Sequence, residues 1–236
     1  MLSPAMRVSL LSLALLSLTS ITGYGQQAKP PAGANHTAAA KPSSTQADAE
    51  WRELEQGNRR YMAGKLTQYA LVPRREQLAK GQSPKVAVLS CSDSRVPPEL
   101  VFDRTLGDLF VVRAAGNVAD QYGIASLEYA VEHLDTKVLV ILGHDECGAV
   151  TAACSGEALP SANLRALVSA IAPACEKNPN IAASERLHDS VVSNIRKSAS
   201  DLLSRSEVLR HAAHEGKLTV VQAVYNLQTG EVVRLR

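Results

Sequence analysis

Continuous apolar runs alternate with amphipathic stretches from residue 85 to the end of the chain. Two of the runs, at 85–90 and 137–142, are rich in Val, Leu and Ile. Uninterrupted runs of this kind are typical of strands that are buried on both faces of a parallel sheet. A third strand is predicted at 108–113. The pattern therefore predicts a buried and mainly parallel sheet.

The stretches between and after these strands predict helices. In residues 123–134, the apolar side chains of Ile124, Leu127 and Val131 fall on one face at helical spacing. Similar apolar spacing marks helices at 164–171 and 187–202. Further helices are predicted at 73–80, where a proline lies near the start, at 146–155 and at 206–215.

The two ends of the folded region complete the predicted architecture. Residues 218–225 and 231–235 read as strands joined by a turn at Gly230, in a hairpin. Residues 48–65 predict an amphipathic N-terminal helical arm carrying Trp51, which Gly57 and Asn58 are expected to break into two pieces. The sequence thus predicts an α/β fold, with a mainly parallel central β-sheet, an antiparallel edge strand and flanking helices.

The first 46 residues differ in composition from the rest of the chain. Residues 1–25 contain one basic residue, Arg7, followed by an apolar run and small residues, which predicts a signal peptide. Residues 26–46 are rich in Ala, Pro, Ser and Thr and predict a flexible linker, so that residues 47–236 form the folded domain. The leader predicts a periplasmic or secreted protein without membrane attachment after cleavage.

Length and charge narrow the classes of function. With 236 residues, 45% of them hydrophobic, the chain is long enough to build one α/β domain with a substantial core. Its net charge is only +2, and no basic stripe is interleaved with aromatic residues. We therefore expect no binding to nucleic acid.

Candidate metal ligands follow two of the predicted strands. Cys91 and Asp93 come after the strand at 85–90, and His144 and Cys147 come after the strand at 137–142. In open α/β sheets, ligands bind where the strands end, so neighbouring strands would bring these side chains together. Thiolates with an imidazole are a ligand set that zinc favours, and three protein ligands leave a fourth position for water. The spacing predicts a catalytic zinc site.

The other cysteines, histidines and nearby carboxylates have simpler interpretations. Cys154 and Cys175 are either buried free thiols, which is the simpler expectation, or a disulfide pair. Asp145 and Glu146 suit a helix N-terminus by charge alone, so no catalytic role is predicted for them. The remaining histidines lack ligand-like spacing and are expected to be solvated surface residues: His36, His133, His188, His211 and His214.

Five segments of the chain resemble β-class carbonic anhydrases, and together they extend from about Trp51 to the C terminus. All five occur in order, which is far more specific than either strand-end motif alone. The segments are 91–95 (CSDSR), 110–117 (FVVRAAGN), 126–131 (SLEYAV), 143–149 (GHDECGA) and 223–230 (AVYNLQTG). The resemblance implies a zinc lyase that converts carbon dioxide and water reversibly to bicarbonate and a proton, through a zinc-bound hydroxide.

The resemblance also implies roles for three further residues. Asp93 either accepts a hydrogen bond from the zinc-bound water while paired with Arg95, or ligates the zinc itself and closes the open position. Gln82 matches a glutamine that donates a hydrogen bond to bound bicarbonate. The family further implies a homodimer or a larger assembly of dimers, with the Trp51 arm packed across the partner.

Two alternatives share the same residues. The first is hydrolysis of a linear analogue of carbon dioxide, such as COS or CS2, by the same zinc site. The second is a zinc-binding protein of this fold without catalytic activity. The Asp93–Arg95 pair argues against the second alternative, because a purely structural zinc site is closed by four ligands.

Overall fold

The computed structural model describes residues 44–236. The predicted signal peptide at 1–25, and all but the last three residues of the predicted linker at 26–46, lie outside this range. The first helix begins at Ser44, slightly earlier than predicted. None of the helices in the described range combines the length and the apolarity that crossing a bilayer requires.

The described chain alternates strands and helices as the apolar pattern predicts. The strands are β1 (Val86–Ser90), β2 (Leu109–Arg113), β3 (Val138–His144), β4 (Thr219–Tyr225) and β5 (Val232–Arg234). The helices are α1 (Ser44–Met62), α2 (Leu71–Leu78), α3 (Pro98–Val101), α4 (Gln121–His133), α5 (Gly148–Ser155), α6 (Ala162–Ile171), α7 (Ala183–Arg205) and α8 (Glu207–His214). Two 3-10 turns lie at Ala115–Asn117 and Ala172–Ala174.

The five strands form one sheet in the order β2-β1-β3-β4-β5. Strands β1 to β4 pair in parallel, and β5 pairs antiparallel to β4 at one edge. The prediction of a mainly parallel sheet with an antiparallel edge strand, flanked by helices, is confirmed. Because β1 and β3 are neighbours, their carboxyl ends open at the same edge of the sheet.

Alternate residues of the central strands enter two separate cores, as the period of two of a strand requires. Leu89, Leu139 and Ile141 pack into a larger core that includes residues of α4 to α8. Val88 and Val140 pack on the other face, against a smaller core that contains Trp51 and Phe102. Both faces of β1 and β3 are therefore buried, which explains their uninterrupted apolar sequence.

Helix α1 corrects one expectation and narrows another. It continues unbroken through Gly57, where an added Cβ would lie 1.8 Å from the carbonyl oxygen of Phe102. The glycine is thus required by a close helix contact and does not break the helix. Trp51 and Leu54 are buried within the chain's own core, so packing of the arm across a partner, which stays a prediction, would use its other faces.

Helix α1 is also fastened to the far end of the chain. The buried Asn58 amide donates to the carbonyl oxygens of Val101 at 3.1 Å and Gly230 at 2.8 Å. Its oxygen accepts from the backbone N–H of Val232 at 2.9 Å. Both amide hydrogens and the amide oxygen are thus used to join α1 to α3 and to the β4–β5 hairpin.

Cys154 and Cys175 form a disulfide, so the expectation of free thiols is wrong. The bridge joins the last turn of α5 to the residue that follows the turn at Ala172–Ala174. Both residues suit either state by sequence, and only the packing of α5 beside this turn brings them together.

Candidate metal centre

Three predicted ligands meet where β1 and β3 end. Cys91 directly follows β1, and His144 is the last residue of β3. Cys147 is the N-cap of α5, one residue before the helix begins. Their Sγ and imidazole nitrogen atoms lie within 4.8 Å of one another, and the two sulfurs are 4.0 Å apart. All three side chains are buried, so the structure forms a compact Cys–His–Cys cluster that could hold a metal ion.

The imidazole of His144 is oriented by the backbone. Its Nδ1 atom lies 2.7 Å from the carbonyl oxygen of Asp145, and since a carbonyl can only accept, Nδ1 carries the hydrogen. In the neutral imidazole the Nε2 atom therefore presents a lone pair. This atom is fully buried and has no hydrogen-bond partner among residues 44–236. Buried polar atoms without a partner are rare in proteins, and a metal ion would satisfy this one.

The two thiols are electrostatically unequal. The hydrogen bond from the Cys147 thiol, together with the Gly116 N–H at 3.2 Å, lowers the pKa of Cys91 to about 4 against the opposing effect of burial. The hydrogen bond to the Cys91 thiolate, reinforced by burial, raises the pKa of Cys147. Burial lowers the pKa of His144, but the charged Cys91 and the hydrogen bond to the Asp145 carbonyl outweigh burial and leave this pKa raised. Metal binding would release the protons that this cluster holds.

Asp93 lies at the mouth of the cluster and is held by Arg95. The Arg95 side chain donates from Nε to Oδ1 at 2.9 Å and from Nη2 to Oδ2 at 2.7 Å, a bidentate pair. These bonds hold the pKa of the Asp93 carboxyl well below its usual range. Its Oδ2 remains 3.8 Å from the Nε2 atom of His144. Asp93 thus faces the cluster while both of its oxygens are held by the arginine.

Arg113 supports the turn that carries Cys91 and Asp93, and sequence reasoning gave it no role. Its guanidinium donates to the carbonyl oxygens of Cys91 at 3.0 Å, Asp93 at 2.6 Å and Val96 at 3.3 Å. A signal was available, since Arg113 ends β2 and therefore lies at the same sheet edge as the end of β1.

Helix α7 supports the loop that donates to the Cys91 sulfur. The buried Asn194 amide donates to the carbonyl oxygen of Gly116 at 2.7 Å, and Asn117 donates to Ser198 at 3.3 Å. Gly116 has a φ of 64° and is packed against Ile171, where a Cβ would lie 2.6 Å from Cδ1. The polar residues of α7 carry no sequence motif, so nothing local identifies their role.

The arrangement fits a zinc ion better than a structural disulfide or a hydrogen-bonded core. Cys91 and Cys147 are not joined by a disulfide, and within the described part of the chain no group hydrogen-bonds to Nε2 of His144. Two sulfurs and one imidazole nitrogen suit zinc and leave one coordination position, as in catalytic sites. The hydrogen bond from Nδ1 to a backbone carbonyl is the usual support of a metal-binding histidine.

Gln82 does not join this cluster within the chain. It is exposed and precedes β1, whereas Cys91 follows the same strand, so the two residues lie at opposite ends of the sheet. Its neighbours are Leu78, Gly107 and the other residues around a shallow surface depression. A role for Gln82 at the cluster would have to come from another copy of the chain.

Two residues for which the sequence predicted no catalytic role contact each other beside the cluster. His188, on α7, places Nδ1 2.8 Å from Oδ1 of Asp145, and the side chain of His188 is 49% exposed. The sequence separation is 43 residues, so only the folded chain shows the contact.

Comparison with known proteins identifies the family. The carbonic anhydrase family matches residues 86–232, more than half of the chain. Carbonic anhydrase 2 of Mycobacterium tuberculosis is 36% identical over 189 residues, which cover 78% of this chain and 91% of the relative. The β-carbonic anhydrase CafA of Aspergillus fumigatus superposes with a TM-score of 0.64 at 26% identity, covering 81% of this chain and 90% of that one.

A second solved structure agrees. One of two tetrameric β-carbonic anhydrases from Sordaria macrospora gives a TM-score of 0.63 at 25% identity, with 82% of this chain and 93% of that chain covered. The matched region contains both strand ends and all three buried ligands. By sequence, fold and the position of its Cys–His–Cys cluster, the chain belongs to the carbonic anhydrase family and to its β class.

Proposed function

We propose that the chain catalyses the reversible hydration of carbon dioxide to bicarbonate and a proton at a zinc ion held by Cys91, His144 and Cys147. The observation that carries the proposal is the buried Nε2 atom of His144, which has no partner in the described chain and faces two unpaired thiols. Family membership supports the reaction, and the donor set supports the metal.

The chain's own residues divide the work around that ion. When bound, zinc supplies an acidified water that is nucleophilic near neutral pH. Cys91, His144 and Cys147 hold the ion and leave one position open. Asp93 accepts a hydrogen bond at that position, and Arg95 keeps the carboxylate ionised and turned to accept. Arg95 thereby also keeps Asp93 from becoming the fourth ligand.

We also propose a homodimer in which the partner's Gln82 reaches the cluster and binds bicarbonate. Two observations support this assembly. Gln82 lies at the far end of β1 from its own Cys91, and β2 is an edge strand whose apolar residues are only half-buried. An open, apolar edge strand is a surface that proteins usually cover. Sedimentation of the wild type beside a Val111→Lys variant of β2 tests the assembly, and a wild type that sediments as a monomer would exclude it.

Export to the periplasm or to the outside of the cell is part of the same proposal. The disulfide between Cys154 and Cys175 supports it, because such bonds persist mainly in oxidising compartments. Fractionation of cells that express the full chain, with mass measurement of the product, tests whether residues 1–25 are removed. A full-length product that remains in the cytoplasm would contradict export.

The decisive experiment is stopped-flow hydration of carbon dioxide by the zinc-loaded wild type and by Asp93→Ala. We expect activity in the wild type and a loss of about a hundredfold or more in the variant, in line with the removal of a positioned acid–base partner. Zinc bound at one ion per chain without any hydration would exclude the activity. The same samples would then be assayed with COS and CS2.

A further inference from the structure

The carboxylate of Asp145 is held from two sides just outside the metal centre. Its Oδ1 accepts from Nδ1 of His188 on α7 at 2.8 Å. Its Oδ2 accepts from Nδ2 of Asn226 at 3.1 Å, at the start of the β4–β5 turn. We call His188, Asp145 and Asn226 the carboxylate clamp. The clamp connects two elements that are distant in sequence to the loop between the metal ligands.

The same residue, Asp145, orients the ligand His144 through its backbone. The Asp145 carbonyl accepts the Nδ1 hydrogen of His144 at 2.7 Å, while the Asp145 N–H donates to the Tyr225 carbonyl at 3.0 Å. The imidazole plane, and hence the direction of its Nε2 lone pair, depends on where this carbonyl points. Whatever fixes the peptide between Asp145 and Glu146 therefore fixes the ligand.

That peptide is in an unfavourable conformation. Glu146 has a φ of 54°, in the left-handed region that residues with a Cβ seldom occupy. Rotation of φ to its ordinary negative range would turn the 145–146 peptide and swing the Asp145 carbonyl away from His144. Strained backbone persists only where surrounding contacts hold it. Glu146 itself is exposed, so the side-chain contacts that hold Asp145, beside its backbone bonds to Tyr225 and His144, are those of the clamp.

We propose that His188 and Asn226 are positioning residues for the metal centre. By gripping the Asp145 carboxylate they hold the strained 145–146 peptide, so that the Asp145 carbonyl keeps Nε2 of His144 aimed at the metal position. The inference rests on the proposed zinc site. It assigns a role to a half-exposed histidine that touches neither the metal position nor any of its ligands.

The clamp is poorly placed to act as a simple stabilising ion pair. The side chains of His188 and Asp145 are 49% and 21% exposed, and pairs this exposed contribute little to folding. A role in folding and a role in positioning therefore give different results. Loss of the clamp should leave the metal-free protein nearly as stable as before and should weaken the hold on the metal.

The first test replaces His188 and measures zinc affinity by competition with a chelator. We expect His188→Ala to bind zinc about tenfold more weakly, within the range known for residues that support metal ligands. His188→Asn should retain most of the affinity, because its amide can donate to the carboxylate from nearly the same place as Nδ1. His214→Ala, an exposed histidine on α8, is the matched control and should bind like the wild type.

The second test uses the strain at Glu146. Glycine adopts a positive φ without penalty, so Glu146→Gly should recover most of the affinity lost in His188→Ala. A merely structural role for His188 would give no such coupling. The absorption spectrum of the cobalt-substituted protein gives an independent record, since a displaced imidazole changes the ligand field.

The outcomes separate this inference from the proposed activity. Wild-type zinc affinity and an unchanged cobalt spectrum in His188→Ala would overturn the positioning role, whatever the activity. Equal loss in His188→Ala and in the double variant with Glu146→Gly would overturn the coupling through the peptide. A wild type that binds zinc tightly but hydrates no carbon dioxide would remove the activity and leave the affinity comparison valid.

Discussion

Two buried polar clusters in this chain differ in whether protein groups satisfy them. In the closed cluster, Asp103 accepts from Arg60 and from the N–H and hydroxyl of Thr67, and Asn58 uses every donor and acceptor it has. In the open cluster, made of Cys91, His144 and Cys147, the Nε2 atom of His144 has no partner in the described chain.

The closed cluster contributes to the stability of the fold, whereas the open cluster is suited to bind a ligand. Buried groups that are fully hydrogen-bonded join elements of the fold, and the closed cluster joins α1 to the loop after α3 and to the final hairpin. Buried groups that are left unpaired reduce stability until a ligand completes them. Substitutions in the two clusters should therefore have opposite signatures, and four experiments can break or sharpen this contrast.

The largest effect is expected from Cys147→Ser, which changes the open cluster alone. Serine has nearly the same size and is a better N-cap than cysteine, but its hydroxyl is a poor zinc ligand. Zinc affinity should fall by more than about a hundredfold, beyond the range of supporting residues. The free energy of unfolding of the metal-free protein should change by less than about 0.5 kcal/mol. Chelator competition and urea unfolding measure the two quantities, and retained affinity would contradict the proposed ligand set.

Gly57→Ala should lower the stability of the protein and leave its zinc affinity nearly unchanged, the opposite of Cys147→Ser. The new Cβ would lie 1.8 Å from the Phe102 carbonyl oxygen, next to Asn58. Because backbone must move to admit it, we expect a loss of more than about 3 kcal/mol in the free energy of unfolding. Zinc affinity of the folded protein should stay within about twofold, because Gly57 packs against Phe102 and Asp103 and not against the metal ligands, and sites without shared partners act independently. Gln56→Ala, exposed on the same helix, is the control, and equal losses in both variants would refute the role of the close contact.

Removal of the disulfide tests whether a change close to the open cluster is enough to alter its zinc affinity. Cys154 lies on α5, the helix that begins after Cys147. Replacing Cys154 and Cys175 by serine opens a covalent loop with a sequence separation of 21, for which chain entropy predicts a loss of about 3 kcal/mol. Zinc affinity should change by less than about threefold. A much larger loss of affinity would show that the bridge also supports the metal centre.

The smallest effect is expected from Asp103→Asn, and it depends on pH. Burial raises the pKa of Asp103, but Arg60 and Thr67 outweigh it and hold the pKa below its ordinary value. A carboxyl with a depressed folded-state pKa contributes stability that is complete above its unfolded value, about 3.9, and is lost as the pH falls through the folded value. We expect the variant to be about 1.5 kcal/mol less stable at pH 7, with the gap closing at acid pH.

Urea unfolding of both proteins from pH 7 to pH 3 measures that gap. Asp135→Asn is the control, because Asp135 also has a positive φ but is exposed. A gap that stays constant with pH would mean that the Asp103 charge contributes nothing.

The sequence predicted the features that depend on local pattern. The apolar runs before Cys91 and before His144 favoured buried strands, and the side chains that follow them meet provided that the two strands are neighbours. Helix α7 also followed from its apolar spacing. These predictions succeed because the periodicity of strands and helices is determined by residues that are close together in the sequence.

Features that depend on distant packing could not be predicted. Glycine is a typical helix breaker by residue type. Only the position of the Phe102 carbonyl oxygen in the folded chain explains why a glycine stands at position 57 inside α1. His188 and Asp145 are 43 residues apart in sequence, and Asn194 and Gly116 are 78 apart. The side chains involved are common polar ones, so no local pattern marks either contact. The pairing of Cys154 with Cys175 likewise depends on how α5 packs beside the turn at Ala172–Ala174.

The bond network of Asn58 has a consequence for the order of synthesis. Its partners Gly230 and Val232 lie 172 and 174 residues further along, almost at the end of the chain. Contacts of such long range form late in folding. Helix α1 leaves the ribosome first among the described elements but cannot complete its docking until the last strand has been made. Until then the face of α1 that carries Trp51 lacks the complete β4–β5 hairpin beside it. A nascent chain that stalls before residue 230 would therefore expose this face to chaperones.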